Sequence, residues 1–207
     1  SQHAKLYLPL KPGTDNWLLN AMAHVILAEG LENKEFIKTR TEGFEDLKAF
    51  VKDITPEKAA EFTGVPAEDI RQAARLYAKS EKSAIYYTLG ITEHTCGTDN
   101  VRTIANLALL TGHVGKPSTG VNPIRGQNNV QGATDMCTPD KLPGYQLFSD
   151  QKAVEKFENA WGVTLNKKPG NTSPTMFERM HKDEFKALYV IGEDPIMSEP
   201  NQDYTIK

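Results

Sequence analysis

The sequence predicts an α/β fold, because short apolar stretches of strand length alternate with longer stretches of helical periodicity. Residues 84–89 (AIYYTL) contain no charged side chain, which is typical of a buried strand. Residues 98–111 predict a helix that is apolar nearly all round and therefore buried as well. Residues 188–191 (LYVI) predict a second buried strand. This alternation favours α/β layering over an all-α fold.

The N-terminal part predicts a short strand followed by a long helix. Residues 6–10 form an apolar run interrupted by a proline, which is consistent with a strand that runs into a loop. Apolar side chains then recur at helical spacing over residues 17–27. Thr14 or Asp15 is available as the N-cap of this helix, and Gly30 can end it.

A helical insertion is expected over about residues 33–80. Two short helices are predicted over residues 33–41 and 43–53. A third begins at Pro56, which follows a capping threonine and takes the first helical position. A fourth begins near Pro66, and its acidic first turn suits the helix dipole.

The most informative stretch is residues 120–133 (GVNPIRGQNNVQGA), which is rich in glycine and side-chain amides. These residues are poor material for a core or a helix, so we expect a loop that wraps a polar, anionic group. Beyond it, helices are predicted over residues 150–161 and 175–181, and residues 167–174 predict a polar linker.

The composition bounds the class of protein. Of 207 residues, 39% are hydrophobic and 25% are charged, which is ordinary for a soluble globular protein. The formal net charge of −3 argues against nucleic-acid binding, and no apolar run could cross a bilayer. Cys96 and Cys137 lack metal-site spacing, so two free thiols in a cytoplasmic protein are favoured over a disulfide. No signal peptide opens the chain, and we expect Ser1 to lie within a longer protein.

Three loops directly follow predicted strands: residues 11–15, 90–97 and 192–195. In open α/β sheets, ligands bind beyond the carboxyl ends of the strands, where such loops gather. Asp15 and Glu193 could each accept two hydrogen bonds from the adjacent donors of a guanine base. The alternatives are a plain N-cap for Asp15 and a solvated turn residue for Glu193.

Two further side chains are candidates for chemistry. Arg125 is flanked by Ile124 and Gly126, and no acidic residue follows before Asp135. Its guanidinium is suited to hold a small carboxylate through two parallel hydrogen bonds, although a phosphate or surface contact is the alternative. His94 lies between a predicted strand and a buried helix, where a structural histidine is commoner than a catalytic base.

With these motifs, the sequence resembles the catalytic subunits of molybdenum- or tungsten-dependent formate dehydrogenases, within the molybdopterin oxidoreductase superfamily. The NPIRGQNNVQGA core is the most specific part of the resemblance. The matching segments follow one another over almost the whole chain: residues 8–15, 90–100, 106–136, 142–146 and 190–201.

The resemblance implies a bis-molybdopterin guanine dinucleotide cofactor carrying Mo or W, bound between two α/β domains. The matching cofactor and substrate positions are Gly13, Thr14, Asp15, Leu89, Gly90, Glu93, His94, Arg125, Gly126, Gln127, Gly192, Glu193 and Asp194. The positions up to residue 94 would bind one dinucleotide, and residues 192–194 would bind the other. Arg125 would hold formate, with Gly126 and Gln127 alongside.

The resemblance also implies the domain organisation and the partners. Residues 1–127 would be the C-terminal part of a Rossmann-like three-layer domain, and residues 128–207 would begin a second α/β domain. The metal-ligating cysteine or selenocysteine and the cysteines of a 4Fe-4S cluster would lie upstream, so the chain alone is expected to be inactive. Partners would be formate or CO2, the rest of the catalytic subunit, and an iron–sulfur or flavin electron-transfer subunit. The alternatives are a non-catalytic nucleotide-binding or assembly module, or a related enzyme with another small oxyanion substrate.

Overall fold

A computed structural model describes residues 3–136 and 138–207 of the chain. The chain divides into two compact units, Ser1–Arg125 and Gly126–Lys207. This division lies two residues from the boundary predicted after residue 127. The assignment of the two parts to particular cofactor-binding domains stays a prediction.

The first unit is built mainly of helices and contains one small parallel sheet. The six helices predicted for this part of the chain are confirmed, and a short additional helix, α6, was not predicted. The elements are α1 (Asp15–Ala28), α2 (Lys34–Arg40), α3 (Phe44–Val51), α4 (Pro56–Thr63), α5 (Ala67–Lys79), β1 (Ala84–Tyr87), α6 (Leu89–Thr92), α7 (Gly97–Thr111) and β2 (Gly120–Pro123).

Helix α1 is the centre of this unit and packs against α3, α4, α5 and α7. It contributes to both apolar clusters of the unit, because it buries side chains on more than one of its faces. The larger cluster joins α1 to α7, and its buried members are Ala23, Val25, Ile26, Ile37, Val51, Ala74, Leu107 and Leu110. The smaller joins α1 to the α4–α5 pair, and its buried members are Leu18, Ala21, Ala59, Val65 and Ile70.

The α4–α5 pair begins as its sequence predicts. Thr55 Oγ1 accepts a hydrogen bond from the N–H of Lys58 (3.3 Å), and Pro56 occupies the first helical position. Gly64 ends α4 with φ 76°, a left-handed conformation that favours glycine. These two helices flank α1 and fix the loop that precedes it, since the N–H of Lys11 donates to Thr63 O (2.9 Å).

Strands β1 and β2 pair in parallel, with Ala84 opposite Gly120 and Tyr87 opposite Pro123. Helices α6 and α7 connect the two strands, as an α/β fold requires. The strand predicted over residues 84–89 is therefore confirmed in part, but the prediction that it is buried is wrong. Ile85 packs against the core, whereas Tyr86 on the opposite face is 67% exposed, because no described element covers that face.

The strand predicted over residues 6–10 is not formed. The N–H of Leu10 bonds to Leu8 O (2.9 Å), which closes a turn around Pro9 that a strand cannot contain. The apolar pattern of this segment has a different cause. Leu8 and Leu10 pack against the smaller apolar cluster as parts of a loop.

The second unit carries short elements around a small core formed by Leu142, Ala153 and Val154. The helices predicted over residues 150–161 and 175–181 are confirmed as α9 and α10. The elements are α8 (Val130–Met136), β3 (Lys141–Leu142), β4 (Gln146–Leu147), α9 (Gln151–Trp161), α10 (Ser173–His181), α11 (Pro195–Ser198) and α12 (Gln202–Ile206). Strands β3 and β4 are antiparallel.

Two predictions for the residues from 120 onwards are wrong. The loop expected over residues 120–133 contains β2 and the start of α8, whose first turn is closed by a hydrogen bond from the N–H of Ala133 to Asn129 O (2.9 Å). Residues 188–191 do not form a buried strand, and Tyr189 is 88% exposed. An apolar run becomes a strand only where another strand satisfies its backbone groups, and no described segment does so here.

Candidate functional site

The first candidate segment is the loop over residues 11–15, which leads into α1. The hydroxyl and the N–H of Thr14 both donate to Lys11 O, at 2.6 and 3.2 Å, and so close a tight turn. Gly13 adopts φ 80° within this turn, and no neighbouring heavy atom lies within 4 Å of the position a Cβ would take. The backbone of the turn is therefore open to close approach by a ligand.

Asp15 is the first residue of α1 and not its N-cap, which is Thr14. The plain N-cap interpretation of Asp15 is therefore wrong. The residue is only 9% exposed, and no residue in the described part of the chain donates a hydrogen bond to its carboxylate. A largely buried carboxylate with free lone pairs is suited to a ligand that presents two adjacent N–H donors.

The second candidate segment is the hairpin of α6 and α7. Leu89 and Gly90 lie in α6, Glu93 is its C-cap, and all three are exposed. Gly97 begins α7 so close to α6 that a Cβ there would overlap the carbonyl oxygen of Thr92. This close approach requires glycine and fixes the path of the intervening loop.

The two segments meet at His94. Its Nε2 donates to Gly90 O (3.0 Å) and lies 3.8 Å from Oδ2 of Asp15. A second tie joins the same two segments, since Thr103 Oγ1 donates to Asn16 Oδ1 (2.9 Å). The structure thus brings the predicted cofactor residues of the 11–15 loop close to those of the α6–α7 hairpin. The hydrogen bond from His94 to Gly90 O agrees with the expectation that a histidine at this position is structural.

Arg125 lies just beyond the parallel sheet. The N–H of Ile124 donates to Tyr87 O (2.8 Å), which extends the strand pairing by one residue. Arg125, Gly126 and Gln127 then follow with exposed side chains or backbone. Arg125 forms no ion pair with any residue among 3–136 and 138–207, so its guanidinium is available to an anion.

The third predicted segment, residues 192–194, lies in the second unit. Gly192 has φ 70°, and Asp194 is the N-cap residue of α11. The Glu193 carboxylate accepts a hydrogen bond from Ser198 Oγ (2.5 Å), although the residue is exposed. The expectation that this loop follows a strand is wrong, because residues 188–191 are not a strand.

Some site residues were missed by the sequence analysis. Asn100, in the first turn of α7, is 1% exposed, and its Nδ2 donates to Ile91 O (2.9 Å). Gly97 and Thr103 also position the hairpin. Their only signal was a cluster of small and amide residues at the start of an otherwise apolar helix.

Three further findings concern the cysteines, metal ligands and membrane-spanning helices. Cys96 is a free thiol, and Cys137 lies outside the described residues. No group of three or more His, Cys, Asp or Glu side chains within 3–136 and 138–207 is placed to hold a metal ion. Of the helices formed by these residues, none has the length and apolar character needed to cross a bilayer.

The architecture is that of an α/β protein with candidate ligand loops beyond its parallel strands. The chain belongs to the molybdopterin oxidoreductase family, which residues 1–207 match. It is 47% identical over 208 residues to F420-dependent formate dehydrogenase 2 subunit alpha of Methanococcus maripaludis, covering 99% of this chain and 30% of that protein. It is 46% identical over 200 residues to formate dehydrogenase H of Escherichia coli, covering 95% of this chain and 28% of that protein.

A solved structure shares the fold at lower identity. Acetylene hydratase from Pelobacter acetylenicus aligns with a TM-score of 0.70 and 24% identity, covering 99% of this chain and 31% of that one. This likeness extends to both units, so the α/β class holds for the chain as a whole. The chain spans about 30% of the length of the formate dehydrogenase relative from M. maripaludis.

Proposed function

We propose that this chain is a segment of the catalytic subunit of a formate dehydrogenase, which converts formate to CO2 or catalyses the reverse reaction. Support comes from the family and from relatives named formate dehydrogenase that match nearly the whole chain. The single observation that carries the proposal is Arg125, an exposed guanidinium without a described acidic partner, just beyond a parallel strand pair.

The residues of the first unit fit the guanosine end of a molybdopterin guanine dinucleotide. Asp15 offers a largely buried carboxylate that accepts no described hydrogen bond, which matches the two adjacent donors of guanine. Gly13 leaves open space where a side chain would stand, so a phosphate or ribose can approach the backbone there. Leu89, Gly90 and Glu93 would line the same dinucleotide, and His94 would hold their loop in place.

Arg125 would bind the substrate. Its planar fork can donate two parallel hydrogen bonds to the oxygens of formate, with Gly126 and Gln127 alongside. This contact would fix the direction of the C–H bond, and in the reverse reaction it would stabilise the carboxylate charge that develops as CO2 is reduced. The bound Mo or W centre would supply the two-electron acceptor, so that formate yields CO2, one proton and two electrons.

The remaining parts of the proposal concern groups outside this chain. Residues 192–194 would bind the second dinucleotide, and the electrons would pass to a 4Fe-4S cluster in the rest of the catalytic subunit. An iron–sulfur or flavin subunit would accept them next, and the cytoplasm is the proposed location. The names of two relatives, which are formate dehydrogenase alpha subunits, support the existence of further subunits.

The test is Arg125→Lys in the full-length subunit loaded with cofactor. Lysine keeps the charge but loses the bidentate fork, so formate-dependent reduction of a viologen dye should fall about 10²- to 10³-fold while metal content is retained. Arg40→Lys is the matched control, because Arg40 is also exposed and has no acidic partner among the described residues. Unchanged formate turnover in Arg125→Lys would refute the assignment.

The same assay separates the alternatives. A non-catalytic nucleotide-binding module would show no formate turnover in the wild-type, cofactor-loaded subunit. A related enzyme with another substrate would turn over a different small oxyanion and lose that activity in Arg125→Lys. Formate turnover that depends on Arg125 and not on Arg40 supports the proposal and neither of the two alternatives.

A further inference from the structure

A buried side chain, Asn100, holds the end of α6 against α7. Helix α6 comprises only Leu89–Thr92, which is too short to be stable without outside contacts. Its last carbonyl groups have no partner within the helix and need donors from elsewhere. One of them, Ile91 O, receives a hydrogen bond from Nδ2 of Asn100 (2.9 Å).

Asn100 is well suited to this task because it is fixed on a longer element. It lies in the first turn of α7, is 1% exposed, and its backbone N–H donates to Cys96 O (2.9 Å). Its Oδ1 accepts a weak hydrogen bond from the Cys96 thiol (3.7 Å). Both ends of the amide are therefore used, and the side chain cannot turn without leaving a buried polar group unpaired.

The segment that Asn100 holds is the one that faces Asp15. Residues 89–94 contact Asp15 through His94, whose Nε2 lies 3.8 Å from the carboxylate. Thr103, on the same helix as Asn100, donates a hydrogen bond to Asn16 and so fixes the start of α1. Helix α7 therefore contacts both segments of the candidate nucleotide site. Asn100 bonds to α6, and Thr103 bonds to α1.

We propose that Asn100 is a positioning residue for guanine-nucleotide binding: it holds residues 89–94 in the conformation that faces Asp15. The inference rests on the proposed function, since it assigns the loop to the guanosine end of the cofactor. Without the hydrogen bond from Asn100 to Ile91 O, the loop would become ordered only when the nucleotide binds. The affinity for the nucleotide would fall because binding would then carry the entropic cost of ordering the loop.

The experiment measures GDP binding by calorimetry to the cofactor-free, full-length subunit. Asn100→Ala should weaken GDP binding about tenfold, because one buried hydrogen bond that preorders the loop is removed. Hydrogen–deuterium exchange without ligand should increase within residues 88–94 and remain unchanged in α1 and β1. A purely structural role would instead raise exchange across the whole first unit.

Asn122→Ala is the matched control. Its Nδ2 also donates to a backbone carbonyl, Ile85 O (3.3 Å), but it braces the parallel strands and not the loop. The control should change the GDP affinity by less than about twofold. If Asn100→Ala does not fold, Asn100→Ser provides a smaller polar replacement with the same expected loss of affinity.

The outcomes distinguish this inference from the proposed function. Wild-type protein that does not bind GDP, or that binds ADP equally well, overturns the guanosine assignment and the positioning role together, whereas formate dehydrogenase activity is refuted only by the turnover assay of Arg125→Lys. Wild-type protein that prefers GDP while a folded Asn100 variant binds it with unchanged affinity overturns the positioning role alone. Equal loss of affinity in the Asn100 and Asn122 variants also overturns the positioning role, because the effect would then be general.

Discussion

Gly112→Ala tests whether the end of α7 and the start of α2 are locked together. Gly112 ends α7 with φ 69°, and a Cβ there would lie 2.7 Å from Nδ2 of Asn33. Asn33 cannot move freely, since its Oδ1 caps α2 at the N–H of Phe36 (3.0 Å) and its own N–H donates to Leu110 O (2.9 Å). The substitution therefore has two effects: it strains the backbone at residue 112, and it displaces Asn33 from the N-cap of α2.

The expected loss is the sum of these two effects. A left-handed alanine costs about 1 to 2 kcal/mol, and loss of an asparagine N-cap costs about 1 kcal/mol. Gly112→Ala should therefore lower the free energy of unfolding by about 2 to 3 kcal/mol. Gly30→Ala is the control, because Gly30 has φ 65° but no heavy atom within 4 Å of a Cβ. The free energy of unfolding of this control should fall by only about 1 to 2 kcal/mol, which is the cost of backbone strain.

Urea denaturation followed by circular dichroism gives both values. Hydrogen exchange adds a local measurement, since Gly112→Ala should speed exchange at the N–H of Phe36 and Gly30→Ala should not. Equal losses of stability in the two variants, with Phe36 equally protected, would refute the reasoning, because the Asn33 contact would then contribute nothing.

Two other predictions concern stability. Thr55→Ala should lower the free energy of unfolding, measured by urea denaturation, by about 1 kcal/mol, because Thr55 caps α4. Thr172→Ala should lower it much less, since the Thr172 side chain does not cap α10, and similar losses in the two variants would contradict the capping argument. Burial lowers the pKa of His113, which is 2% exposed, so the unfolded chain binds the proton more readily than the folded one. The free energy of unfolding should therefore fall as the pH drops below about 6.5, and His113→Gln should flatten this dependence; an unchanged pH profile in the variant would contradict it.

Helices were predicted from the sequence far better than strands, and the reason is physical. A helix satisfies its backbone within one segment, so the threonine and proline at the start of α4 were sufficient to locate it. A strand depends on a partner that local sequence does not reveal. Residues 84–89 have such a partner in β2, whereas residues 188–191 have none among the described residues.

The candidate site was predicted unevenly for a related reason. Residue type and order indicated the groups that would contact a ligand, such as Asp15 and Arg125. They did not indicate Asn100, because its role depends on the close approach of α6 to α7. The loop predicted around the amide-rich stretch also proved partly helical, since a single backbone turn after Asn129 is enough to begin α8.

The pairing of charges separates candidate functional groups from structural ones more clearly than exposure does. Four of the six arginines form ion pairs with described acidic residues: Arg71, Arg75, Arg102 and Arg179. Arg40 forms none, but it lies in the last turn of α2, where the helix dipole stabilises a cation. Within the described part of the chain, Arg125 has neither an acidic partner nor a helix end to stabilise it. A guanidinium without an acidic partner among the described residues is available to a ligand of opposite charge, and for this reason we propose a small carboxylate as the ligand of Arg125.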